Sequence, residues 1–523
     1  MAGAPDSVQR RDVCIVGGGF AGLTLARHLR RRLPDLDIAV VERRRFPVPE
    51  AAHKVGESTV EIASHYLANG LGLKENLERE QLRKFGLRLF CRGETPVDRD
   101  LAAYDEIGPS AALPIPTYQL DRGRFENHLA RTWKEIGELR DGTAVRSVEI
   151  ERGAHRVVLR DPGEGKEKTL RCRYLIDASG RRGFLRRSRG TARSVRHPQH
   201  AVWLRLRGLV DIESLSTDSE WLSRCSGELP RRASTVHFTG PGYWLWLIPL
   251  ASGMTSVGLV FDPARLALEE VRSRTDLIRW LERQHPLVAA ELAEREVLDH
   301  SFLSNYAVGN SDVFSEDGWA ATGDASLFTD PLYSPGGDFI ALANTYAVEL
   351  IARGFPPDRV ENYQRNYQAL FANTMLLYRG QYPGFGDRTL IVAKTMWDYA
   401  FYWSIPAKLF FSGRITDLEF MRRNENLLQR AAALHSGVQR LFRDHAAKAG
   451  RVGGEGRFFD HHAVPLFHEL QADLREGDPD AAETRLTRNV DRLQAAATGI
   501  RGILAEGAGS LGRWSLGQVP GFG

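Results

Sequence analysis

Apolar and polar positions alternate in two distinct ways along this chain. Asp12-Val-Cys-Ile-Val16 is a short apolar run that ends in glycines. Phe20 to Arg32 places apolar residues at helical spacing, and Asp37-Ile-Ala-Val-Val-Glu42 is a second apolar run. Strand, helix, strand in that order predict a βαβ unit at the start of the chain. Val60 to Leu71 reads as a helix, Phe85 to Cys91 as a strand, and residues 93–112 as an irregular loop. Asp121 to Ile136 reads as a helix with Asp121 at its N-cap. Thr143 to Asp161 suggests paired strands, and Arg173 to Gly180 a strand ending in a tight turn.

The pattern then changes. Val202 to Leu206, Thr235 to Phe238, Tyr243 to Ile248 and Thr255 to Phe261 alternate as half-buried strands do, which predicts a largely antiparallel second sheet. Helical spacing returns after Pro263. Trp319 to Ser326 is a strand running into a turn, and Phe339 to Gly354 is helical. Residues 358–446 and 460–505 read as helices, separated by the glycine-rich Gly450 to Gly456, and a Gly-rich tail starts at Gly507. The expected fold is α/β. A βαβ domain over 1–199, completed by 301–356, carries an inserted antiparallel sheet with helices over 200–300. A helical region follows over 357–523.

Composition narrows the class. A chain of 523 residues is long enough for two or three interlocked domains. Net charge is +4, too small to argue for nucleic acid. The arginine-rich stretches Arg30 to Arg32 and Arg181 to Arg189 read as solvated faces. Cys14, Cys91, Cys172 and Cys225 form no CxxC, which suggests a reducing compartment without a disulfide framework. Met1 to Arg11 is polar and lacks an apolar stretch typical of a signal peptide, and no apolar run is long enough to span a membrane. A cytoplasmic location is expected.

Gly17-x-Gly19-x-x-Gly22 follows a strand and opens a helix. Gly17 permits a tight turn, Gly19 lets the backbone approach a pyrophosphate, and Gly22 allows helix and strand to pack closely. Glu42 ends the second strand, where a carboxylate can accept ribose hydroxyls. A nicotinamide or a flavin dinucleotide fits this much equally. Thr322-Gly323-Asp324-Ala325 delivers a second acid beside a glycine turn, and Gln119-Leu-Asp-Arg122-x-x-Phe125 offers an arginine for a phosphate or a flavin carbonyl. These two segments resemble FAD enzymes of the aromatic-hydroxylase type.

The resemblance sharpens with three further segments. Lys54-Val-Gly-Glu-Ser-Thr59, Trp244-x-Trp246-x-Ile248-Pro249 and Phe328-x-Asp330-Pro331-x-x-Ser334-x-Gly336 are similar, in that order, to the signatures of the flavin-dependent halogenases. The last has the form found in members acting on phenols or pyrroles. The similarity runs from about Asp12 to Tyr346 and thins in the helical region.

Such a resemblance implies a chemistry. Reduced FAD and O2 turn a bound chloride or bromide into hypohalous acid. That acid passes through a tunnel to a lysine, which delivers the halogen to the substrate as an electrophile. The protein binds the flavin and the halide, excludes water, and places the lysine. The lysine expected here is Lys84, at the start of an apolar strand where burial would lower its pKa. Lys54 is the rival, but its place in the loop suggests flavin or loop contacts. Residues expected at FAD are Gly17, Gly19, Phe20, Ala21, Gly22, Glu42, Arg43, Ser58, Thr59, Arg122, Val145, Asp324, Gly336 and Gly337. Ser334, Pro335, Gly336 and Gly337 can form a nest of amides for the halide. Asp338 beside them is as readily a helix N-cap as a catalytic group. Trp244, Trp246, Tyr333, Trp397 and Phe401 are expected to wall an aromatic substrate. Adjacent His461 and His462 point to different faces, so no metal is expected.

One departure matters. Tryptophan halogenases carry a glutamate in this segment, whereas this chain has Tyr333-Ser-Pro-Gly-Gly-Asp338. A phenolate is strongly activated and needs less help, so a phenol is favoured, with pyrrole next. Only one dinucleotide fingerprint is visible, which implies FADH2 supplied by a separate reductase. Whether the substrate is free or tethered to a carrier protein stays open. So do two alternatives, an FAD-dependent aromatic hydroxylase and a catalytically idle flavin-binding partner.

Overall fold

The computed structural model describes residues 9–51, 54–92, 100–161, 167–225, 229–448, 454–476, 480–506, 519 and 521–523. Most of the N-terminal segment, part of the expected loop at 93–112, most of Gly450 to Gly456, and most of the tail lie outside them.

The first strand, Gln9–Val16, is the centre of a parallel sheet. It pairs in parallel with Glu167–Asp177 on one side and Ile38–Glu42 on the other. Glu138–Asp141 extends one edge and Trp319–Ala321 the other, both in parallel register. The strands Ala144–Glu149 and His155–Arg160 form the expected meander on Glu167–Asp177. Helices Phe20–Arg32 and Gly336–Arg353 pack against each other on this sheet. This is the FAD-binding type of α/β fold.

The second sheet has eight strands. Its antiparallel part runs Val297–Ser304, His200–Arg207, Met254–Phe261, Tyr243–Pro249, Thr235–Gly240. Three features differ from the sequence expectation. Leu87–Cys91 joins the sheet in parallel to Thr235–Gly240, and Asp105–Gly108 follows it as a full strand inside the stretch expected to be loop. Phe458–Asp460 then adds an edge strand from a region expected to be helical. A charged strand such as Asp105-Glu-Ile-Gly108 carries no apolar alternation. It is buried because Arg88, Arg231 and Arg388 neutralise Glu106 and Asp105.

Residues on this sheet split by parity, as side chains of successive strand residues must. Val202, Leu204, Val236, Phe238, Leu245, Leu247, Leu259 and Phe261 form a core under helices Arg274–Gln284 and Pro286–Ala293. Trp203, His237, Trp244, Trp246 and Ile248 face the other way, toward the parallel-sheet domain. The C-terminal region supplies long helices, Pro357–Leu376, Arg388–Tyr402, Glu425–Ala446 and Ala482–Glu506. No helix among the described residues is long and apolar enough to cross a membrane. All four cysteines are buried and free.

Candidate active site

Two cavities lie on either side of the segment Tyr333 to Gly336. The larger, about 610 Å³, runs between the two sheets. Gly17, Gly19, Phe20, Ala21, Glu42, Arg43, Ser58, Arg122, Val145, Asp324, Ser334, Gly336 and Gly337 all line it. Gly22 does not. It lies one layer behind, where a Cβ would collide with the Gly17 carbonyl, so its part is close packing. Thr59 is also displaced from the group expected at FAD. Its hydroxyl is used by the Tyr118 carbonyl and amide, and its side chain is buried in the loop's own fold.

The donor set suits a dinucleotide. A Cβ on Gly19 would have only the Glu126 carboxylate near it, at 3.9 Å, so the backbone there is open to the cavity. The helix Phe20–Arg32 begins at that point, with first-turn amides that have no intrahelical acceptor. Glu42 is oriented by the Gly18 and Arg44 amides at 2.8 and 2.9 Å. Arg122 stacks over Phe20 at 4.8 Å and pairs with Glu126 at 2.7 Å, yet its buried Nε has no partner. Desolvation in the cavity wall raises the Asp324 carboxyl above the usual range against the pull of Arg181, Arg122 and Arg186. Diphosphate amides, a ribose acid and an orphaned arginine N–H are what an extended FAD requires.

Lys54 ion-pairs with Glu126 in this cavity, and its carbonyl accepts from Arg205 Nη2 at 2.6 Å. Arg205 also holds Glu57 at 2.7 Å. The loop over 54–59 is therefore clamped on the second sheet, with Lys54 on the flavin side.

Lys84 sits differently from its expected place at the head of a strand. Gly86, with φ +63°, breaks the run, so Lys84 ends the separate strand Leu82–Lys84. That strand pairs with Thr117–Gln119, and Ser58 bridges to Gln119. Lys84 and Ser58 are thus brought together by one shared strand. Lys84 Nζ donates to Ser58 Oγ at 2.8 Å and to the Thr59 carbonyl at 2.9 Å. Ser58 Oγ lies 2.7 Å from Thr235 Oγ1. Burial lowers the Lys84 pKa to about 7, outweighing the attraction of Glu61 and Asp338.

Lys84 lines the second cavity, about 150 Å³ and mostly apolar. Tyr333 and Phe401 line it too. Trp244 and Trp246 do not. They face the dinucleotide cavity, where Trp244 Nε1 bonds Tyr382 and Trp246 covers Gly258. Trp397 is one layer out, bonded through Nε1 to His435, which stacks on Phe401 at 3.9 Å.

The segment between the cavities alternates. Tyr333 and Pro335 line the smaller cavity, Ser334 and Gly336 the larger. Tyr333 and Ser334 both adopt left-handed backbone, φ +68° and +60°, which is uncommon for non-glycine residues and costs conformational energy. Asp330 fixes the start of this segment. Its Oδ1 accepts from the Leu332 amide at 2.9 Å, and its Oδ2 takes His197 at 2.7 Å and the hydroxyls of Tyr306 and Tyr382 at 2.5 Å. Burial pushes the Asp330 carboxyl up, but these partners prevail and hold it below its usual range.

Sequence reasoning missed Glu61. It follows the Lys54–Thr59 loop, is buried, and lines the Lys84 cavity with Asp338. Asp338 takes the Ala63 amide at 2.8 Å and the Tyr402 hydroxyl at 2.7 Å. Burial raises it to about 7 despite those donors. His461 lines the same cavity with an unpartnered Nε2. Glu61 carries no motif signal alone; only the helix start after the loop could have pointed to it.

The FAD binding domain family model matches residues 10–263. A flavin-dependent halogenase of Dictyostelium discoideum (chlA) is 28% identical over 378 residues, covering 66% of this chain and 60% of its own. A 1H-pyrrole-2-carbonyl-[peptidyl-carrier protein] brominase of Pseudoalteromonas luteoviolacea is 26% identical over 357 residues, covering 65% and 77%. The chain is similar in sequence to flavin-dependent halogenases. The crystal structure of halogenase PltM with phloroglucinol and FAD shares this chain's fold. Its TM-score is 0.64 at 16% identity, and the match covers 94% of this chain and 96% of that one. The similarity in sequence spans under two thirds of the slime-mould relative, whereas the fold similarity extends through the helical C-terminal region.

Proposed function

We propose that this protein halogenates a free, single-ring phenol, using reduced FAD, O2 and chloride or bromide. The observation that carries the reading is a buried lysine in a cavity the size of an aromatic ring, bonded to a serine that lines a second cavity with the donor set of a dinucleotide. A cavity of about 150 Å³ is the volume that takes benzene in an engineered protein interior. Bound reduced FAD supplies, with O2, the oxidation of halide to hypohalous acid.

The chain's residues do the rest. Gly336 and Gly337 present the amides of a helix start for the halide on the flavin side. Trp244, Trp246 and Trp203 exclude water from that side. Lys84, anchored through Ser58, receives the hypohalous acid where the cavities meet and holds it against the ring. Tyr333 and Phe401 confine the ring. FADH2 comes from a separate reductase, since the described residues hold one dinucleotide cavity.

The test is a reaction of the protein with FAD, NADH, an added flavin reductase, bromide or chloride, and single-ring phenols, read by mass spectrometry. The expected product shows a halogen isotope pattern and disappears with Lys84→Ala. A product heavier by one oxygen and independent of halide rejects halogenation for hydroxylation. Turnover of a carrier-bound pyrrole alone rejects the free phenol.

A further inference from the structure

The substrate cavity contains more acid than the motifs require. Lys84, Glu61 and Asp338 come from three separate elements and line one small, mostly apolar space. Asp338 is 4% exposed and Glu61 6%. Two buried carboxyls beside one lysine cannot all be neutralised by it, and burying unpaired charge is costly. The structure nevertheless positions both. Glu61 is held by Gln471 Nε2 at 2.9 Å. Asp338 lies in the first turn of Gly336–Arg353, where a negative charge is favoured, and is aimed by Ala63 and Tyr402. A helix N-cap alone explains neither the Tyr402 contact from Arg388–Tyr402 nor the second acid.

Resting on the phenol reading above, we propose that Asp338, backed by Glu61, is the general base for the substrate's hydroxyl. As the ring carbon bonds to halogen, the phenolic O–H bond breaks. Its proton goes to Asp338 and its electron pair moves into the ring. The halogen–oxygen bond of hypohalous acid breaks, and the departing hydroxide takes a proton from Lys84 and leaves as water. The resulting halogenated dienone then loses its ring proton to the neutral Lys84 amine. Its oxygen recovers the proton from Asp338. Ring C–H and hypohalous acid give ring C–halogen and water, and both residues return to their starting forms. General bases of this kind typically contribute 10²–10⁴-fold.

The experiment compares wild type with Asp338→Asn and Glu61→Gln on phenols of graded acidity, with reductase present. An added thioether traps any hypohalous acid that escapes. For Asp338→Asn, kcat/KM is expected to fall about 100-fold on phenols that are neutral at the assay pH. It should recover toward wild type on phenols already ionised, while trapped hypohalous acid does not fall. Glu61→Gln gives the same pattern, more weakly. An equal loss on all phenols, or no loss, overturns the proposal. Tyr402→Phe supplies a second measure should Asp338→Asn fold poorly. Removing the donor that favours the ionised carboxyl moves the acidic limb of the pH profile upward, and an unmoved limb counts against Asp338. The groups facing Asp338 there are Glu61, Lys84, Tyr402 and Tyr378. A wild-type chain that yields neither product nor trapped hypohalous acid rejects the halogenase reading itself.

Discussion

Lys84 Nζ donates to Ser58 Oγ at 2.8 Å, yet the two residues line different cavities. The bond is a direct polar link between the walls of the two cavities. Lys84→Met keeps the volume and removes the donor. Halogenated product should fall at least about 100-fold, a loss typical for a positioned catalytic group. Flavin affinity and flavin reoxidation should stay at wild-type values, measured by fluorescence titration and stopped-flow absorbance. Ser58→Ala should lower product less, because the Thr59 carbonyl still holds the lysine at 2.9 Å.

Gly19 and Gly17 should separate binding from folding. Gly19 has ordinary extended backbone and open space at its Cβ, so Gly19→Val folds normally but occupies the place of a pyrophosphate. FAD affinity should weaken about 100-fold, equivalent to about 2.7 kcal/mol, with an unchanged melting temperature. Gly17 has φ +115°, and a Cβ there would meet the Ala178 carbonyl. Gly17→Ala should therefore lower the melting temperature itself. Scanning calorimetry without added flavin distinguishes the two.

Asp330→Asn replaces an oxygen that accepts three donors with an amide that brings its own. His197, Tyr306 and Tyr382 then compete for one acceptor fewer. Breaking such a buried network costs on the order of 3 kcal/mol. The melting temperature should drop and the KM for halide should rise, since Asp330 also holds the Leu332 amide ahead of Ser334. An unchanged halide KM would confine Asp330 to a purely structural part.

The Lys84 cluster should leave a mark on stability against pH. The carboxyl of Asp338 is raised from 3.8 to about 7, so the folded chain keeps a proton that the unfolded chain has released. Stability from this group is complete below about pH 4 and is lost as pH rises to about 7. Lys84 is lowered from 10.5 to about 7, so here the unfolded chain holds the extra proton. Its contribution therefore rises with pH between about 7 and 10.5. Together they predict a shallow minimum in melting temperature near neutral pH. Lys84→Met with Asp338→Asn should flatten it and raise the neutral midpoint by a few degrees, on the order expected for about 1 kcal/mol. A minimum that survives in the double variant sinks this account.

The dinucleotide half was legible in the sequence because its determinants are local. Gly17, Gly19 and Gly22 need only a strand before them and a helix after. Likewise, Trp244 and Trp246 sit in an alternating run that could only be a strand. The substrate half was less legible because it is built by tertiary packing. Trp244 and Trp246 were expected with Phe401, but strand parity turns them to the flavin side. Lys84 stands at the spacing the resemblance implies, although Gly86 moves it off the strand expected to carry it. Glu61 and Asp338 meet only because one helix packs so tightly on another that a Cβ on Gly337 would lie 2.8 Å from Ala63. No periodicity encodes that approach. Asp105–Gly108 was missed for the opposite reason, since paired charges rather than apolar residues make it a strand.

Tyr333 and Ser334 turn consecutive side chains into opposite rooms while sharing a single left-handed stretch of main chain. The wall between the two cavities is therefore one peptide thick, and both of its faces are written in the same few codons. Under the proposed function, a change made there to suit a different ring would also shift the groups proposed to meet the halide. Tolerance for new substrates and choice of halogen should drift together in this lineage, inherited as a pair rather than tuned one at a time.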